Sequence, residues 1–124
     1  MILTAYAGLL ILLGLSLFQL LLILGKPLGE YAWSGQQRVL PKKLRIASIF
    51  SIVLYVVFGV FLASKAGIVQ LIAQSSLLDI GMWVLTGYFT LGVCMNALSR
   101  SKKERMVMTP VALLLAVIFL LNSQ

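Results

Sequence analysis

Four long apolar runs separated by three polar stretches set the pattern of this chain. Residues 2–24, 46–64, 80–98 and 106–122 contain no charged side chain. The first of them, as a helix rising about 1.5 Å per residue, is about 34 Å long and spans a hydrocarbon core of about 30 Å. Lipid offers no hydrogen-bond partner to the backbone, so each run is expected as a helix. The pattern predicts an all-α integral membrane four-helix bundle made of two consecutive helical hairpins. Residues 25–45, 65–79 and 99–105 form the connections.

The polar stretches and the residues inside the runs refine this picture. Gly25, Lys26 and Pro27 end the first helix, because Gly accepts the cap conformation and Pro disfavours helix in the residue before it. Only Met1 precedes this run and no small-residue cleavage site precedes Lys26, so a retained anchor is expected rather than a signal peptide. Tyr31 and Trp33 have rings suited to head-group depth. They leave two forms open for 28–40: a short interfacial helix or turn, or an ordinary solvated loop. In the second run, Ala47, Ser51, Tyr55, Gly59, Ala63 and Gly67 recur every four residues and give one helix face mostly small side chains. Its neighbour is a helix of the same chain or of a second copy, the former being the more frequent arrangement.

In the 65–79 connection, Ser76 and Asp79 have the spacing of a capping box for the third helix. That helix has a second small-residue stripe at Gly87, Thr90, Cys94 and Ala97. In the fourth run, a start at Thr109 and Pro110 leaves a helix of about 20 Å, too short to cross. Residues 106–108 are therefore expected to be helical, with a kink at Pro110.

Composition agrees with a membrane protein. The 124 residues are 61% hydrophobic and 10% charged, against roughly 45–50% and about 25% in soluble chains. Mean hydropathy is +1.08. One membrane domain fills the length, with no room for a soluble one. Nine of the ten bases lie in 25–45 and 99–105; subtracting Glu30 and Glu104 leaves +7 there, while Lys65 and Asp79 cancel in 65–79. By the positive-inside rule the basic side is cytoplasmic and both termini are outside. Anionic lipid, rather than nucleic acid, is the expected partner of those bases. Cys94 is the single cysteine and there is no His, which excludes intrachain disulfides, Cys/His zinc sites and imidazole chemistry. No metal or cofactor is expected.

Candidate chemistry gathers at the basic end. Gln19, Ser48, Ser51, Asn96 and Thr109 lie near that end of the four runs, and Glu30, Arg38, Arg100, Glu104 and Arg105 stand above them. One expectation is a pocket at the inner leaflet, with amides and hydroxyls at its floor and Arg at its mouth, suited to an anionic head group or carboxylate. The competing expectation is that these groups hydrogen-bond between helices and the acids pair with neighbouring Arg. The spans contain no ionisable group of the kind that pumps and proton-coupled transporters keep in the bilayer. The chain thus departs from the small multidrug-resistance transporters, with their Glu in the first helix. It also lacks the helix-embedded Arg and Glu of the microsomal glutathione transferase relatives. The leading expectation is a non-catalytic accessory or regulatory membrane protein that binds anionic lipid and a protein partner at its cytoplasmic face. The alternative is a small transporter or lipid/solute-binding protein using the pocket. A homo-oligomer remains open in either case.

The two basic junctions also carry a resemblance. Gly35, Arg38, Val39, Leu40, Pro41, Leu44, Arg45 and Ser48 after the first run, and Asn96, Ser99, Ser101, Glu104, Arg105 and Pro110 after the third, resemble those of a family of uncharacterised small bacterial membrane proteins with four transmembrane helices. The resemblance implies a bacterial plasma membrane and brings no activity with it.

Overall fold

A computed structural model describes residues 2–35 and 37–124. Among them are four α-helices and no strand: α1 (Ile2–Ile23), α2 (Lys42–Lys65), α3 (Ser76–Ala97) and α4 (Lys102–Ser123). All four are long and apolar enough to cross a membrane. The chain is a small multi-pass membrane protein with an all-α four-helix bundle. Its outward faces carry residues such as Leu10, Phe50, Val56 and Val84, as a lipid-facing surface requires.

The helix ends follow local chemistry. After α1, Gly25 takes φ +91° while Lys26 N–H donates to Leu21 C=O and Gly25 N–H to Leu22 C=O. After α2 the same paired bonds form at Gly67, φ +80°, from Ile68 to Ala63 and from Gly67 to Ser64. Both are the glycine-terminated motif that satisfies the last carbonyls of a helix. α3 starts at the N-cap Ser75, whose Oγ accepts from Leu78 N–H at 3.4 Å, so the cap lies one residue earlier than the Ser76–Asp79 spacing implies. Asp79 instead pairs with Lys65 at the end of α2. Ser101 caps α4, accepting from Glu104 N–H at 3.3 Å. Helix therefore begins at Lys42 and Lys102, before the expected 46 and 106, and most of the bases belong to first turns. Pro110 sits inside α4, where its missing N–H leaves the Met106 carbonyl without its helical partner.

The two hairpins, α1/α2 and α3/α4, pack side by side, α1 along α4 and α2 along α3. The α2 small-residue face finds its neighbour within the chain: a Cβ on Gly59 would touch Leu9 at 3.4 Å and Leu12 at 3.9 Å of α1. The α3 stripe does not pack inward, since Gly87, Thr90, Cys94 and Ala97 are all exposed on the bundle's outer face. The core runs through Leu12, Leu62, Leu78, Met82, Phe89 and Phe119. At the end opposite the bases, cross-helix polar bonds join the helices. Asn122 Nδ2 donates to Thr4 Oγ1 at 3.1 Å, and the Thr86 and Ser123 hydroxyls lie 3.1 Å apart.

The segment after α1 is packed structure rather than a solvated loop. Two 3-10 turns, Gly29–Tyr31 and Trp33–Gly35, lie over the basic end. Ala32 and Leu40 are buried with Leu22 in a small second cluster, flanked by Phe18, Leu28 and Leu44.

Candidate binding cavity at the basic end

Between the hairpins, in the half of the bundle nearer the bases, lies a cavity of about 480 Å³. Its walls come from all four helices, with Phe18 and Gln19 from α1, Ser51 and Tyr55 from α2, Gly92 and Asn96 from α3, and Met108 and Ala112 from α4. The 3-10 turns cover it with Tyr31, Ala32 and Trp33. Trp33 has φ 51°, a left-handed conformation costing about 1–2 kcal/mol for a residue with a Cβ, which the packed surroundings sustain. Toward the middle of the bundle the cavity is closed by rings. Phe89 stands 5.4 Å from Phe58 and 4.9 Å from Phe119, centroid to centroid, and Tyr88 is 5.3 Å from Phe58.

One side is open. α2 and α3 meet at the ring cluster and beyond it: Phe58 against Tyr88 and Phe89, then Phe61 against Gly81 and Lys65 with Asp79. Nearer the bases, Tyr88, Leu91 and Met95 both line the cavity and are 49%, 62% and 65% exposed. The seam between α2 and α3 therefore connects the cavity with the surrounding lipid.

Of the eight site residues expected from sequence, the structure brings Gln19, Ser51, Asn96 and Glu104 to the cavity lining, while Glu30, Arg38, Arg100 and Arg105 lie outside it. Gln19 is buried to 7% exposure; its side chain hydrogen-bonds Tyr55 across α1 and α2, while its Oε1 meets no partner. Ser51 and Asn96 do not bond across helices: Ser51 Oγ donates to Ala47 C=O and Asn96 Nδ2 to Gly92 C=O, both on their own helix. Ser48 Oγ and Thr109 Oγ1 are likewise buried without a partner. A buried polar atom left unpaired costs about 1–3 kcal/mol, so three of them in the basic half need a reason.

The acids behave differently from one another. Glu30 is the hub of the covering segment: Lys103 Nζ donates to its carboxylate at 2.6 Å, Arg38 stands 3.7 Å away, and Ser101 Oγ donates to its backbone carbonyl. Lys103 also lies 5.8 Å over the Tyr31 ring. These bonds tie the two basic junctions together. The Lys103 ammonium, bonded to it, holds the Glu30 carboxyl below its ordinary value of 4.5, with Arg38 adding less. A depressed carboxyl stabilises the fold fully above its unfolded pKa and loses that contribution as pH falls through the lower folded value. The difference in melting temperature between wild type and Glu30→Gln should therefore be present at about pH 7 and vanish in strong acid. A difference that persists in strong acid would show that the pair does not hold the segment.

Glu104 is 8% exposed and, among the described residues, has no ion pair. Nor does it complete the reciprocal cap that its spacing from Ser101 offers, because Ser101 N–H donates to Ser99 Oγ at 3.1 Å. Among the described residues it is the only charged one in the cavity lining. The nearby arginines are engaged elsewhere, Arg105 with Ser99 C=O at 3.0 Å and Arg45 with Leu40 C=O at 2.8 Å.

No known protein family, curated protein or solved structure matches this chain. The aromatic part of the lining, Phe18, Tyr31, Trp33, Tyr55, Tyr88 and Phe89, was not expected from sequence. Counted in residues from the basic end of each helix, Gln19, Tyr88 and Tyr55 stand at different depths, so no such count in the sequence marks these rings.

Proposed function

We propose that this membrane protein is a non-catalytic binding protein that takes one amphiphilic molecule into the cavity from the inner leaflet of a bacterial plasma membrane. The observation that carries this reading is the pairing of a 480 Å³ space, within the size range of small-molecule sites, with a buried acceptor lacking a partner, Gln19 Oε1, and a nearly buried acid, Glu104, without an ion pair among the described residues. The α2–α3 seam supports lateral access for an apolar body. The ring cluster supports a site entered from one end rather than a conduit. Exposed Lys26, Lys42, Lys43, Arg100 and Lys102 around the basic rim support seating against anionic lipid, at about 1 kcal/mol per base. The accessory reading lacks a feature of comparable definition.

The test is native mass spectrometry of protein released gently from its own membranes. A defined mass should accompany the wild type at one per chain and be missing from Gly92→Phe. A Cβ at Gly92 meets nothing within 4 Å, so a larger side chain there enters the cavity without displacing a helix. Ala112→Leu, filling the opposite wall, should act in the same way. Wild-type protein that carries no such mass, or variants that retain it, would sink the binding reading.

Orientation is tested separately. In a Cys94→Ser background, cysteine placed at exposed Gln70 should react with an impermeant thiol reagent on intact cells, and cysteine at exposed Gln37 should not. Labelling at Gln37 would reverse the assignment of the basic side.

A further inference from the structure

Resting on that binding reading, we infer that the cavity selects a lipophilic cation: an ammonium-type head with an apolar body. Among the described residues, the only charged residue in the lining is an acid. Glu104, with no ion pair among the described residues, lines the cavity at 8% exposure, and an acid so placed favours a positive partner or a hydrogen-bond donor. None of the nine bases of this end lines the cavity, and those nearest are committed to Glu30, Ser99 and Leu40. The expectation of an anionic ligand clasped by Arg38, Arg100 and Arg105 thus meets the wrong sign in the lining.

Two further features point the same way. Gln19 Oε1, unpartnered at 7% exposure, is an acceptor, and an N–H or polarised C–H head group offers donors to it. The lining is otherwise rich in π faces, with Tyr31, Trp33, Tyr55 and Tyr88 around the space. Aromatic faces attract a desolvated cation through the ring quadrupole and do nothing comparable for an anion. A carboxylate, an amide oxygen and aromatic rings around one apolar space together form a receptor for a hydrophobic positive ion. Such an ion is supplied either by the amine head of a lipid or by a free organic cation dissolved in the leaflet.

The experiment uses tetraphenylphosphonium and tetraphenylborate, ions of matched shape and opposite sign, titrated against full-length protein in nanodiscs. Trp83 is exposed on α3, so Trp83→Phe leaves Trp33, in the cavity cover, as the single fluorescent reporter. The phosphonium should give a saturable change in Trp33 emission, at least tenfold weaker in Glu104→Gln and absent in Gly92→Phe, while the borate gives none that depends on Gly92. Equal binding of the two ions, or full phosphonium affinity in Glu104→Gln, would overturn the cation assignment but leave the cavity reading standing, provided Gly92→Phe still blocks binding. If Gly92→Phe changes neither titration, the cavity reading itself fails. The mass co-released with wild type distinguishes the sources. An aminolipid or a non-lipid amine would each uphold the inference, and an anionic molecule would overturn it.

Discussion

Replacing Phe119 with Ala should cost about 3–5 kcal/mol, the range for removing a large buried ring, and more than any single lipid-facing substitution. Phe119 is fully buried on α4, with the Phe89 ring 4.9 Å away and Phe58 beyond it, so its side chain joins the α3/α4 hairpin to α2. Lipid is as apolar as the core, so little of this cost is transfer from water. It comes from van der Waals contacts that the surrounding rings cannot remake across the gap. The measurement is the melting temperature in detergent beside Leu10→Ala, whose side chain is 69% exposed and should change stability by no more than about 0.5 kcal/mol. Equal losses in the two variants would mean that the inward face of α4 is misassigned. The substitution also removes the back wall of the ring cluster, so it should lengthen the cavity toward the far end and weaken discrimination among ligands of different length.

The limits of the sequence are clearest where depth and direction part company. The depth of Gln19, Ser51 and Asn96 is counted along helices whose basic ends lie at Ile23, Lys42 and Ala97, and these three do line one cavity in the basic half of the bundle. Which way each side chain turns was not legible, because runs apolar on every side do not mark an inward face. Thus the Gly59 face of α2 packs on α1, while the similar stripe at Gly87 and Cys94 of α3 faces outward. The basic residues misled in a related way. Their charge marked them as loop, yet Lys42, Lys43 and Arg45 occupy the first turn of α2, where the helix dipole disfavours them. Long-range pairing was out of reach altogether: Asn122 finds Thr4 only because α4 lies along α1.

The covering segment should fail at one atom. A Cβ added to Gly29 would overlap the Gln37 carbonyl oxygen and stand 2.8 Å from that of Arg38. Both are backbone atoms that no rotamer change can move. Gly29→Ala therefore pushes apart the two arms of the segment and breaks the bond from Gly29 N–H to Arg38 C=O, now 2.7 Å. Overpacking of this kind costs about 1–3 kcal/mol, and the lost hydrogen bond about 1 kcal/mol more. Because Leu40 and Ala32 are buried on Leu22 through this same segment, the damage should spread to Tyr31 and Trp33 over the cavity, with the helices themselves intact. In the Trp83→Phe background, Gly29→Ala should make Trp33 far more accessible to an aqueous quencher and lower phosphonium affinity at least tenfold, with unchanged helical content by circular dichroism. Gly87→Ala is the matched control: its Cβ meets nothing within 4 Å, it lies on the outer face of α3 away from the cavity lining, and replacing a helical glycine gains up to about 1 kcal/mol. If the two alanine variants behave alike, the segment does not dock on the bundle, and the cavity has no cover for Trp33 to report on.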